Sequence, residues 1–157
     1  MGGGLAVKRV LFVCSSGGHL DQLLALVPAP EGVEVAVATF LKPDAVAKLE
    51  GFRVHGLHWP TNRSVTALFK NLRIALRVLR TERPDIIVSS GAAGAVPFFW
   101  VGRLLFRTRN VFIECIDRLD NPTLTARLVR PVTHTFVAQW PEQLVEFPRR
   151  TEVSPSR

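Results

Sequence analysis

Short runs of consecutive apolar residues alternate with longer stretches of helical periodicity along almost the whole chain. Val10 to Val13 is one such run, continuous as in a strand covered on both faces. Strands are expected at about 8–14, Val33 to Phe40, Phe52 to Leu57, Asp85 to Ser89, Asn110 to Ile116 and Thr135 to Ala138. Between them lie helical segments: one near 19–27 that Pro28 stops, and a short one that Pro43-Asp44 opens and that runs to about Glu50. A long helix follows from Ser64, a plausible N-cap, to about Thr81, and a further one spans 95–107. Asn121-Pro122 starts another that ends before Pro131, and Pro141 to Phe147 forms a short last helix. The core is expected over about 8–147, with 148–157 as a tail. Such alternation predicts a single α/β domain, a Rossmann-like open parallel sheet with helices on both faces. There is no internal repeat and no low-complexity segment.

In open parallel sheets ligands gather at the carboxyl ends of the strands, so the strand ends carry the candidate chemistry. After the first strand comes Ser15-Ser16-Gly17-Gly18-His19. Its small side chains let backbone N–H groups approach a ligand, and the positive end of the next helix adds a favourable dipole for an anion. Ser89-Ser90-Gly91-Ala92-Ala93-Gly94 follows the fourth strand in the same style. Two such turns facing one crevice would cradle a diphosphate, whose two phosphates need two sets of donors; the plainer reading is that the glycines only permit tight turns. A dinucleotide-dependent dehydrogenase is excluded on two grounds. The first turn lacks Gly-x-Gly-x-x-Gly, and the second strand ends in Thr39-Phe40-Leu41, with no acid for a ribose hydroxyl. His19 is placed to polarise or deprotonate a hydroxyl, or to donate to phosphate. Glu114 lies in the apolar run Val111 to Ile116. A carboxylate there is costly unless it faces a ligand or is neutralised by Arg118 or a turn N–H group.

The chain has 157 residues, 47% of them hydrophobic, which is enough for one well-buried core. Its longest uncharged apolar run, Ala92 to Gly102, is too short to span a bilayer, and Met1 to Val7 does not read as a signal peptide. Ala6 stands where a myristoylation signal needs Ser or Thr. Cys14 and Cys115 read as free thiols in a reducing cytoplasm. The net charge of +7 is concentrated: residues 61–130 hold twelve basic side chains against five acidic, whereas the flanking segments balance. A basic band of this kind suggests an anionic partner. Lys70, Arg73, Arg77 and Arg80 fall on one face at helical spacing. The next helix carries Phe98, Phe99 and Trp100 beside Arg103 and Arg107, the composition of a surface that dips among lipid headgroups. The alternative is a central core helix whose two arginines reach solvent. No nucleic-acid-reading motif is present, so nucleic acid is not expected as a partner.

Taken in order, Ser16-Gly17-Gly18-His19, Ser89-Ser90-Gly91-Ala92-Ala93-Gly94, Ile113-Glu114 and Val137-Ala138-Gln139-Trp140-Pro141-Glu142 resemble one known family over roughly 8–147. This is the Alg-fourteen and PssD type, the membrane-side subunit of two-part UDP-sugar glycosyltransferases. A more distant likeness is to the N-terminal half of MurG, the transferase that forms peptidoglycan lipid II. The resemblance implies the acceptor-binding, N-terminal half of a GT-B glycosyltransferase, with the donor nucleotide held by a separate C-terminal-half subunit as a heterodimer. It implies inverting transfer from a UDP-sugar to a polyprenyl-diphosphate-linked saccharide, for exopolysaccharide or lipid-linked oligosaccharide synthesis, without a metal or other cofactor. By the same analogy Ser15, Ser16, Gly17 and Gly18 with Gly91, Ala92, Ala93 and Gly94 would hold the acceptor diphosphate. His19 or Glu114 would be the base or orienting group. The 70–80 and 98–107 surfaces would meet the membrane, and Gln139, Trp140 and Pro141 would fix the chain end against the sheet or the partner. Eukaryotic members carry an N-terminal membrane span. The first strand at residue 8 therefore leads one to expect a bacterial, cytoplasmic protein held peripherally on the inner face of the cell membrane. The rival expectations are a non-catalytic membrane scaffold that recruits the catalytic partner, and a free-standing phosphosugar or nucleotide binder.

Overall fold

In a computed structural model, which describes residues 8–26, 32–59, 65–114, 123–138 and 151–153, the apolar runs become strands and the periodic segments helices. The chain passes through β1 (Lys8–Val13), α1 (Gly18–Leu26), β2 (Val33–Thr39), α2 (Pro43–Lys48), β3 (Arg53–Gly56) and α3 (Val65–Glu82). It continues through β4 (Ile86–Ser89), α4 (Ala95–Val101), a π-helical turn (Gly102–Phe106), β5 (Arg109–Ile113), α5 (Leu124–Val129), a 3-10 turn (Arg130–Val132), β6 (Thr135–Ala138) and β7 (Thr151–Val153). All seven strands pair in parallel in the order β3-β2-β1-β4-β5-β6-β7. Parallel strands need covering on both faces, which is why their sequences are continuous rather than alternating.

Successive residues of β1 feed two separate cores. Leu11 and Val13 of β1 pack with α3, α4 and α5 through Ala75, Leu79, Phe98, Phe99 and Val129. Phe12 and Cys14 pack on the other face with Leu20, Leu23, Ala45 and Leu49 of α1 and α2. The chain builds outward from β1 to β3, then crosses back to β4 and proceeds the other way. Right-handed crossovers therefore place α1 and α2 on one face and the later helices on the other. The reversal falls between β1 and β4, the switch point at which open sheets bind ligands.

Three expectations change. Thr151 to Val153 lie beside Phe136 to Ala138 as a seventh strand, where a tail was expected from 148. Three residues are too few to carry a periodic signal. The helix expected over 95–107 is α-helical only to Val101, widens into the π turn and closes on Arg107 in the left-handed region. Gly102 is the cause: a Cβ there would stand 2.5 Å from Thr108 Oγ1 and 2.6 Å from Ile87 Cδ1, so only glycine lets the backbone come this close. The helix expected from Asn121-Pro122 begins at Leu124, capped by Thr123, whose hydroxyl accepts from the Ala126 N–H at 3.1 Å. Ser64 and the helix expected over 141–147 lie outside the described residues.

The edge strand β3 is fastened through Glu82, buried at the end of α3. Its carboxylate accepts from Arg53 Nε at 3.0 Å and lies 2.7 Å from His55 Nε2, while Arg53 also reaches Glu34. Burial pushes the Glu82 carboxyl upward, but the bonds to His55 and Arg53 outweigh it and hold the group below its ordinary value. A carboxyl depressed in the folded state adds stability above its unfolded value, and that stability is lost as pH falls through the folded one. Glu82→Gln should therefore cost about 1–3 kcal/mol at neutral pH. In urea titrations at several pH values the gap from wild type should close as pH drops below 4.5, the ordinary value. A gap unchanged down to acid would mean that Glu82 does not act as a charged clamp.

Candidate functional site

Because β1 and β4 are neighbours, the turns that follow them open side by side at the same sheet edge. In the first, Gly17 takes a φ of +83° and its carbonyl accepts the Asp21 N–H, starting α1. In the second, Gly91 has a φ of +122° and Ala92, with a side chain, a φ of 94°. Left-handed backbone at a non-glycine residue is strained and is held in place by its surroundings. Ser89 does part of this: its hydroxyl accepts the Gly91 N–H at 3.1 Å and donates back to the Gly91 carbonyl.

The two turns are also joined to each other. Ser90 Oγ donates to the His19 carbonyl at 2.8 Å, fixing the start of α1 to the end of β4. The His19 ring lies over Gly91, so close that a Cβ at 91 would stand 3.2 Å from His19 Cε1. Gly91 is thus bare for two reasons: its backbone is left-handed, and the imidazole occupies the space of a side chain. On the far side of the turn, a Cβ at Gly94 would meet Leu57 Cδ1 at 3.1 Å. The structure brings together Ser15 to His19 and Gly91 to Gly94, with the half-buried imidazole between them.

Glu114 ends β5 at the same edge, where Gln22 of α1 donates to its carbonyl at 3.3 Å. Its side chain is only 2% exposed and accepts from Thr123 Oγ1 at 3.4 Å, so the carboxylate supports the cap of α5. Of the two residues expected to act on a hydroxyl, His19 is partly exposed between the turns and Glu114 is buried. Asp117, Arg118, Cys115, Gln139, Trp140, Pro141 and Glu142 lie outside the described residues. Cys14, behind the first turn, is fully buried, and that burial raises its thiol to about 12. It is a neutral core group rather than a nucleophile. Among the described residues no cluster of His, Cys, Asp and Glu could hold a metal ion, and no helix is long and apolar enough to cross a membrane.

The basic face of α3 is as expected: Lys70, Arg73, Arg77 and Arg80 are all exposed. The neighbouring helix requires a correction. Phe98 and Phe99 are completely buried against the sheet and offer no surface. Trp100 is 37% exposed, its indole N–H donating to the Leu128 carbonyl. The residues that project beside exposed Arg103 and Arg107 are Leu104 and Leu105, 67% and 65% exposed, with Leu124 and Leu128 of α5 nearby in sequence to Arg127. An all-round apolar segment has no phase from which to tell its inward side, so the sequence could not separate these leucines from the phenylalanines. Ser90 and Gln22, which tie the three strand ends together, carried no signal beyond standing in or next to the turns.

A family model described as "Oligosaccharide biosynthesis protein Alg14 like" matches residues 49–155. The chain belongs to the Alg14 family. It is 28% identical over 148 residues to the UDP-N-acetylglucosamine transferase subunit ALG14 of Eremothecium gossypii, covering 92% of this chain and 63% of that protein. The subunit of the same name from Yarrowia lipolytica is 24% identical over 147 residues, covering 90% and 64%, and that of Mus musculus 22% over 172 residues, covering 90% and 79%. The chain spans less than two thirds of the length of the two fungal relatives. Among solved structures, MurG of Acinetobacter baumannii superposes with a TM-score of 0.62 at 20% identity, over 85% of this chain and 42% of MurG. The UDP-GlcNAc 2-epimerase of Neisseria meningitidis, bound to UDP-GlcNAc, gives 0.71 at 14% identity, over 94% of this chain and 46% of the epimerase. The Alg14-family chain thus has the Rossmann-like sheet of GT-B proteins and matches less than half of each of these two.

Proposed function

We propose that this Alg14-family chain is the acceptor-binding subunit of a two-component inverting glycosyltransferase. The observation that carries the reading is the pair of small-residue turns at the switch point, fastened by Ser90 with His19 seated against Gly91. Backbone N–H groups of Ser15 to Gly18 and of Gly91 to Gly94 hold the diphosphate of a polyprenyl-linked saccharide, helped by the start of α1. His19 takes the proton of the acceptor hydroxyl or orients the phosphate beside it. In the transfer, the acceptor oxygen forms a bond to the anomeric carbon of the donor sugar from the face opposite the nucleotide. The bond to UDP breaks with its electron pair, and the hydroxyl proton leaves to the base. Glu114 steadies the site from within through α5. The relatives' name supports UDP-N-acetylglucosamine as the donor, held by a separate subunit that completes the GT-B pair. Lys70, Arg73, Arg77 and Arg80, with Trp100, Leu104, Leu105, Arg103 and Arg107, keep the chain peripherally on the inner face of the cell membrane, where lipid-linked oligosaccharide or exopolysaccharide is built.

The test uses the chain alone and co-expressed with a separate UDP-sugar-binding half enzyme, each with labelled UDP-N-acetylglucosamine and a lipid-diphosphate acceptor in phospholipid vesicles. The chain alone should transfer no sugar, and the pair should do so. Vigorous transfer by the isolated chain would overturn the two-component reading.

A further inference from the structure

A pocket of about 430 Å³ opens at the carboxyl ends of β2 and β3, on the same sheet edge as the two turns. Its apolar walls are Phe40, Leu41, Leu57, Trp59 and Ile74. Leu57 is also the side chain that touches Gly94, so one wall of the pocket is the flank of the second turn. The loop carrying Trp59 is pinned from below by Asn71 of α3, which is buried, accepts from the His58 N–H at 2.9 Å and donates to the His58 carbonyl at 3.3 Å. Phe40 meets the Trp59 ring edge-on with centroids 5.3 Å apart. The pocket is therefore formed before any ligand arrives.

Its rim is cationic. Lys42 Nζ lies 5.4 Å from the centre of the Trp59 ring, and Lys70 Nζ lies 3.4 Å from His58 Nε2. Among the described residues neither lysine is in an ion pair, and no carboxylate lines the pocket. A sugar ring needs acceptors for its hydroxyl protons, and His58 is the single lining side chain with one to give, already facing Lys70. Hydrocarbon needs none. Apolar walls, a cationic rim and an anion cradle next door together suit an amphiphile whose chain begins at a phosphate.

We propose that this pocket receives the first isoprenoid units of the lipid attached to the acceptor diphosphate, with Lys42 and Lys70 facing the phosphate end. The inference rests on the proposed binding of a diphosphate between the two turns. It sends the lipid from the cradle past Leu57 toward β3, and leaves the opposite side, toward Glu114 and β5, for the saccharide.

Isothermal calorimetry of the full chain with two probes, farnesyl diphosphate and inorganic pyrophosphate, tests it. Wild type should bind farnesyl diphosphate at least about 30-fold more tightly than pyrophosphate, given the apolar area that the chain would bury. Leu41→Ser and Trp59→Ser are at positions 59% and 56% exposed, so both variants should fold. Each should weaken farnesyl diphosphate by about 5- to 10-fold and leave pyrophosphate unchanged. Equal affinity of wild type for both probes, or undiminished farnesyl diphosphate binding in both variants, would overturn the pocket assignment and leave the cradle intact. Binding of neither probe would overturn the diphosphate reading and this inference with it.

Discussion

His19→Ala should lower sugar transfer by the assembled two-subunit enzyme by about 100- to 10,000-fold, the range that a positioned general base or a phosphate donor at the reacting centre supplies. The expectation comes from where the ring sits. It rests on a glycine that has no room for a side chain, and the Ser90 hydroxyl holds its main-chain carbonyl. Neither restraint serves the core, since the imidazole is half-exposed between two turns. Gly91→Ala should act through the same ring: its Cβ presses on Cε1, and a φ of +122° strains any residue other than glycine. The two possible roles of His19 separate on a pH profile. Loss of a base removes the acid limb of kcat/KM, whereas loss of a phosphate donor raises KM for the acceptor and leaves the limb in place. Vesicle recovery should be unchanged in His19→Ala, because the residue is not one of the leucines and arginines assigned to the membrane surface. If transfer survives the substitution, the chain is a membrane scaffold and the chemistry belongs to its partner.

Asn110→Leu should cost about 3–5 kcal/mol, a large part of the stability of a domain of this size. Asn110 opens the interior of β5 and is fully buried. Its amide donates to the carbonyls of Phe99 and Val132, both at 2.9 Å, and its oxygen accepts from Thr108 Oγ1 at 2.8 Å. Its own N–H goes to His134 Nδ1 at 3.0 Å. One side chain thereby closes the ends of α4, the 3-10 turn and β5 onto each other. Leucine has nearly the right volume but leaves two carbonyls and a hydroxyl without these partners in the interior, each costing about 1–3 kcal/mol. Urea unfolding followed by far-UV circular dichroism would measure it, with Asn110→Asp as a second variant. The aspartate keeps the acceptor, loses both donors and should be no more stable. A loss below 1 kcal/mol in both would show that the network is not what holds this corner.

The strands and both turns were legible because their signals are local. Val10 to Val13 must be apolar throughout to be covered on two faces, and Ser15 to Gly18 and Gly91 to Gly94 must be small to turn so sharply. What was hidden depends on partners distant in the chain. Gly102 looks like a weak point in a helix until Ile87 and Thr108 are seen pressing on it. Phe98 and Phe99 look like membrane anchors until the sheet is laid beneath them. Asn110 looks like a polar strand end until Phe99 and Val132 turn their carbonyls toward it. Glu114 is expected to face a ligand or be neutralised by Arg118 or a turn N–H group. Arg118 lies outside the described residues, and among the described ones Thr123 donates to the carboxylate, a cap whose position depends on how α5 is set down.

The pairing of β1 with β4 also sets an order of events as the chain is made. Arg9 and Asp85 close a loop across 76 positions, with the Arg9 N–H on the Asp85 carboxylate and the Asp85 N–H on the Arg9 carbonyl. The entropy of so long a closure has to be met before its contacts give anything back, which makes it a slow step. Until β4 has been synthesised, one edge of β1 stays bare, with Lys8 and Arg9 at its start to discourage stray pairing. The β1–β2–β3 half has its own local contacts and is free to form early. The cradle is different: its two walls follow the two strands joined by the longest closure in the sheet. A chain stalled or loosened at this seam would keep most of its helices and strands and still have no place to hold a ligand.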